Sequence, residues 1–202
     1  MLGPFFAHGA KEYGYGGDLR EGATMKGDDV WVSGKVTGVD GKPVPGAALD
    51  IWQAKADGIY DLQTEGEFEL RGRVKANAKG EYAFASYKPK FYSIPMDGPV
   101  GDLVRATSNN HMRPAHMHAI VSAPGYQQVI THVFVEGDPH LDGDAVFAVK
   151  NSLVAKYKKM SDADAKKVGM PAGSLKLDWD FKLSPEARVK ARKRIAASDA
   201  VA

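Results

Sequence analysis

The chain has 202 residues, 44% of them hydrophobic, which fits one domain with a full core. Its 27 basic and 25 acidic residues leave a formal charge of +2, too little to draw nucleic acid or an anionic membrane, so a small molecule is the expected partner. Cysteine is absent, which excludes disulfides, thiolate metal sites and cysteine nucleophiles together and leaves any metal to oxygen and imidazole ligands.

The first residues, MLGPFFAHGA, lack the basic start and unbroken apolar stretch of a signal peptide, and no run is long enough to span a membrane. A cytoplasmic location is therefore expected. Residues 1–29 are rich in glycine and charge without a period, which predicts an extended arm lying on the domain. From Val30, two alternating runs flank a loop with Asp40-Gly41 and Pro43, and Ala47, Leu49 and Ile51 share one face, as in a pair of half-buried antiparallel strands. Further strands are predicted at 68–74, at 81–85 after the Lys79-Gly80 turn, at 117–123 and at 128–135. Val146, Val149, Leu153, Val154 and Tyr157 recur at helical spacing behind Asp144, predicting a capped helix as the main α element. In LKLDWDFKL, Leu177, Trp179, Phe181 and Leu183 alternate with polar residues as one late strand. Ser184-Pro185-Glu186 and the basic run to Arg194 predict a solvent-facing terminal helix. The expectation is a single all-β domain over 1–202. It comprises an arm (1–29), a β-sandwich of mostly antiparallel strands (30–183), a helical tail (184–202), and one or two peripheral helices.

His116-Met117-His118 is the sharpest local feature, because residues two apart on a strand project to one face and can bind one metal together. Spacing alone does not separate that role from ordinary surface or core packing. Tyr60, in ADGIYD, and Tyr92, before Ser93-Ile94-Pro95, each stand where a strand gives way to a loop. A phenol titrates at about 10 in water, so only a strongly Lewis-acidic ion holds it as phenolate at neutral pH, which suits ferric iron better than zinc. The plainer reading places both rings in the core with their hydroxyls at its rim. Arg113, three residues before His116, is placed to reach a pocket in front of a metal and to stabilise an anionic substrate, although a surface role is equally open from position alone. DPHLDGD begins like a calcium loop with Asp138, Asp142 and Asp144, but its twelfth position is Val149, so it reads as a turn and a helix cap. Phosphate-cradling glycine loops, GxSxG and HExxH are absent, which leaves nucleotide binding, serine hydrolysis and zincin proteolysis without support.

Trp52-Gln53, DGIYD, YSIPMDGPVG, RPAHMHAIVSAPGY and THVFVEGDPHLDGDAVFAVKNSL, in that order, resemble the intradiol ring-cleavage dioxygenases from Met1 to Phe181. The resemblance implies Fe(3+) held by Tyr60, Tyr92, His116 and His118, with a catechol-type aromatic diol and O2 as substrates. It further implies that Tyr92 takes up a substrate proton and that Arg113 stabilises negative charge on the ring under attack. Pro4, Ile94, Pro95, Arg113, His132 and Val146 match pocket positions. His132 stands where many catechol-cleaving members carry glutamine, and with Pro4, Phe5 and the segment DAVFAVKNSL it places the chain nearer the hydroxyquinol group. Members of the family usually begin with a helical domain that builds a dimer, and this sequence starts at the arm. The expectations that follow are a more open pocket and, for any homo-oligomer, a different interface. Two other readings compete. GKVTGVDGKPVPGAALDIW followed by GEYAF is also the pattern of transthyretin-like or carboxypeptidase-regulatory-like binding modules, and a zinc hydrolase would use His116, His118 and a carboxylate.

Overall fold

The computed structural model describes residues 2–107 and 110–186. Two sheets stack over one core. The first runs in the order β1 (Glu12–Tyr13), β5 (Arg71–Lys75), β4 (Ala48–Gln53), β9 (His116–Ser122), β10 (Val129–Val135) and β11 (Val154–Ala155). The second runs β12 (Lys158–Lys159), β13 (Leu175–Asp178), β3 (Asp29–Gly38), β6 (Glu81–Tyr87) and β2 (Gly17–Asp18), with β14 (Phe181–Leu183) also on β3. A third, small sheet pairs β7 (Tyr92–Ser93) with β8 (Met112–Arg113). The central pairings of β3 with β6 and of β4 with β5 and β9 are antiparallel, while the short edge strands β1, β2 and β11 add in parallel. The architecture is thus the all-β sandwich expected from the alternation.

Alternation decides what each strand buries. Val32 and Phe84 from one sheet meet Leu49, Ile51, Met117 and Val133 from the other in the main core. The opposite face of β4 and β9 carries Trp52 and Ile120, which pack with Phe5, Tyr60 and Tyr92 in a second, aromatic cluster outside the sandwich. The arm reaches that cluster through Phe5 and then contributes β1 and β2 to the sheet edges.

Several elements differ from the sequence reading. The predicted strand at 68–74 begins only at Arg71, because Leu70 takes a positive φ of 51° and Phe68 stays exposed. The helix predicted behind Asp144 is not formed. Phe147 at φ 55° breaks the segment, which continues as a 3-10 turn at Asn151–Leu153 and then β11. Val146 is 50% exposed, Val149, Leu153 and Val154 are half-buried and Tyr157 packs on the main core, so the five residues do not form one buried stripe. The two helices among the described residues are elsewhere, at α1 (Pro99–Thr107) and α2 (Asp162–Lys167). Proline opens α1 where its missing N–H costs nothing, and the Ser161 hydroxyl caps α2 by accepting from the Asp164 N–H. The late strand is split at Trp179-Asp180. There the Asp180 carboxylate accepts from the Lys35 N–H, and the Trp179 carbonyl lies so close to Gly34 that a Cβ there would sit 1.7 Å from it. Of the predicted terminal helix, residues 187–202 lie outside the described residues.

Candidate metal centre

Strand β9 places His116 and His118 on one face while Met117 and Ala119 fill the main core from the other. Tyr60 reaches the same spot from the loop after β4. Its N–H donates to the Gln63 side chain, and the neighbouring Asp61 receives two hydrogen bonds from Arg71 of β5, at 2.8 and 2.6 Å. Tyr92 and Arg113 face each other across the β7–β8 pair, which carries both to the histidines. All five side chains are buried.

The polar atoms converge. Tyr60 Oη lies 3.0 Å from His118 Nε2 and 3.3 Å from His116 Nε2, and the two imidazole nitrogens are 3.1 Å apart. His116 Nδ1 lies 2.6 Å from the Pro114 carbonyl, which can only accept, so Nδ1 carries the proton and Nε2 turns its lone pair inward. Arg113 Nη1 is 3.1 Å from His116 Nε2 and 3.4 Å from Tyr92 Oη. Three donor atoms on a triangle of 3.0 to 3.3 Å have the spacing of neighbouring ligands about 2.1 Å from one ion. Tyr60 can donate to the His118 lone pair and Arg113 Nη1 to that of His116, so both nitrogens point their lone pairs at the same small space. This donor set fits a metal ion.

Protonation agrees with that use. Burial, and then the Arg113 charge, holds His116 well below the ordinary imidazole range, and burial, then His116, does the same to His118. Both are neutral and free to ligate. Burial, reinforced by Tyr92, pushes the Tyr60 phenol well above its ordinary value, so without a cation it stays protonated. His132 of β10 pairs across the sheet with His118, its ring 4.5 Å from that of His118, and burial with the Arg113 charge lowers it to about 4. The ligating atoms of His116, His118 and His132 lie within 4.8 Å of one another. His132 is thus a third imidazole within reach of the same point, next to the tighter triangle that Tyr60 completes.

The remaining sequence candidates surround this group. Ile94 is half-buried against the aromatic cluster, whereas Pro4, Pro95 and Val146 are exposed. Sequence reasoning missed four contacts. Trp52 stacks on His118 with ring centroids 4.5 Å apart at 7°, and Phe5 stacks on Tyr60 at 4.3 Å and 16°. Arg71 donates to the Phe5 carbonyl at 2.8 Å while holding Asp61. Asp144, read as a helix cap, instead lies buried against Arg113 Nε at 3.0 Å. Periodicity could not reveal these, since each depends on residues far apart in the chain.

The β-sandwich thus gathers two histidines, two tyrosines and an arginine on one outer face, a donor set of the kind that can hold one metal ion. A family model described as dioxygenase matches residues 1–185, and the chain belongs to that family. It is 45% identical to the 6-chlorohydroxyquinol 1,2-dioxygenase of Cupriavidus pinatubonensis over 92% of this chain and 63% of the relative. It is 43% identical to the hydroxyquinol 1,2-dioxygenase of a Rhizobium species over 91% and 63%. The solved structure of the hydroxyquinol 1,2-dioxygenase from Pseudomonas putida DLL-E4 superposes with a TM-score of 0.84 at 39% identity, covering 92% of this chain and 65% of that one. The chain thus spans 63% of the length of those two curated relatives. No helix among the described residues is long and apolar enough to cross a membrane.

Proposed function

We propose that this chain carries out ferric intradiol cleavage: a catechol-type diol, hydroxyquinol or catechol, reacts with O2 and opens between its two hydroxylated carbons. The product is a cis,cis-muconate, or its hydroxy or maleylacetate form. The triangle of Tyr60 Oη, His116 Nε2 and His118 Nε2 carries this reading. Family membership and the names of the relatives support it.

Tyr60, Tyr92, His116 and His118 would hold Fe(3+). When bound, the ion supplies the Lewis acidity that keeps the diol as a dianion with a ring electron-rich enough to react with dioxygen. Tyr92 Oη accepts a proton from one diol hydroxyl. Its position 3.4 Å from Arg113 Nη1 places a fixed positive charge beside the phenolate before that transfer. The same guanidinium faces negative charge building on the ring, and it does so from a dry, preorganised position. Stacking by Phe5 and Trp52 keeps water from Tyr60 and His118 and restrains both rings. His132 offers a polar group at the rim for a third ring hydroxyl.

Loading the protein with ferric iron tests the assignment. A red to purple colour from tyrosinate-to-iron charge transfer is expected, together with uptake of one O2 per diol and an ultraviolet-absorbing diacid product. Iron-replete protein without that band would remove Tyr60 and Tyr92 from the ligand set. A yellow semialdehyde would place cleavage outside the diol and overturn the mechanism.

A further inference from the structure

Asp144 follows the 3-10 turn Leu141–Gly143 and starts no helix, yet its carboxylate is buried and accepts four hydrogen bonds. Two come from Arg113, Nε at 3.0 Å and Nη2 at 3.4 Å, and two from the backbone N–H groups of Val146 at 3.3 Å and Ala148 at 3.0 Å. A guanidinium is planar, so fixing its Nε and Nη2 edge fixes the opposite corner. That corner is Nη1, the atom beside His116 Nε2 and Tyr92 Oη. The carboxylate also offsets a buried positive charge at a place where a cation would bind.

We infer that Asp144 is the positioning residue for Arg113. It aims Nη1 at the reacting ring and ties Arg113 to the backbone at Val146 and Ala148, so the direction of the stabilising charge is set by one buried carboxylate. The inference deepens the dioxygenase reading and rests on it. Asp144 touches neither Tyr60 nor the histidines through any described hydrogen bond, so its effect is transmitted through Arg113.

Asp144→Asn, Arg113→Gln and the double variant, each iron-loaded, separate this role from general stability. Asp144→Asn is expected to lower kcat about 10- to 100-fold with a smaller change in KM, while the tyrosinate band is retained. Adding Asp144→Asn to Arg113→Gln is expected to cost no more kcat, because the single change has already removed what Asp144 holds. The double variant leaves no buried charge unpaired, so it remains informative if Asp144→Asn folds poorly. Additive losses, or an Asp144→Asn protein with wild-type kcat, would overturn the inference. Nuclear magnetic resonance of the metal-free protein gives a readout without turnover: an exchange-protected Arg113 Nε–H signal in the wild type, lost in Asp144→Asn. Absence of that signal in the wild type would sink the inference whatever the turnover. A wild type inactive on every diol would instead fail the dioxygenase reading.

Discussion

Tyr60 occupies the environment in which a phenol is least able to ionise unaided, since burial and Tyr92 both disfavour the anion. A bound cation is what would reverse that preference, so metal loading and phenolate formation are one event. Tyr60→Phe is therefore expected to change the stability of the metal-free protein by only about 1 kcal/mol, the net value of its hydroxyl hydrogen bonding. After iron loading the same variant should lose much of the charge-transfer intensity. Thermal melts and visible spectra check the two halves. The histidines give a pH dependence. Their folded-state pKa values are depressed, so on acidification the unfolded chain takes up protons first. Stability of the metal-free protein is full above about pH 6.5 and falls below it, as the unfolded chain takes up protons that the buried imidazoles do not. Melts between about pH 7 and pH 5 should show this decline, and a flat melting temperature would contradict it. At this scale the sequence was informative for His116 and His118, because strand alternation alone puts them on one face. It misread Asp144 as a helix cap, because the partner that buries the carboxylate is 31 residues away.

Strands were legible where β-branched and apolar runs stand between turn signals, as in β3, β4, β9 and β10, even though β9 is buried on both faces. The helix expected behind Asp144 failed because its five apolar residues do not share one buried face, with Val146 exposed and Tyr157 on the main core, and because Phe147 left the helical region. The arm is held by tertiary contacts that no local pattern records. Arg71 joins three separate segments by donating to Asp61 beside Tyr60 and to the Phe5 carbonyl, with both charged side chains almost wholly buried. Arg71→Met would strand the Asp61 carboxylate, and a loss of about 3–5 kcal/mol is expected. Adding Asp61→Asn should recover part of that stability. It should not restore the resting band fully, because Phe5 would still lack the hydrogen bond that seats it on Tyr60. Melts of the single and double variants, with spectra after iron loading, distinguish loss of a charge pair from loss of arm docking.

Across the whole molecule, the sandwich buries its main core between the sheets and builds the centre on an outer face, where the arm and loops close over it. The side carrying Tyr60, His116 and His118 is buried, but the rim is not: Pro4 and Pro95 are exposed, and Val146 and Phe147 are 50% and 92% exposed. A substrate ring bound at Tyr92 and Arg113 would therefore meet few fixed walls beyond Ile94 and His132. Hydrophobic pockets discriminate single substituents by about 10- to 200-fold when they enclose them, and an open rim gives up that selectivity. The expected outcome with catechol, hydroxyquinol, protocatechuate and chlorocatechols is a spread in kcat/KM within about tenfold, with hydroxyquinol first through its extra hydrogen bond to His132. His132→Gln should then remove the lead of hydroxyquinol while leaving catechol turnover nearly unchanged. If one diol instead outpaces the rest by orders of magnitude, the rim must be closed in the working enzyme, by Phe147 folding inward or by a second molecule covering it. The oligomeric state measured with and without diol would then separate those two routes.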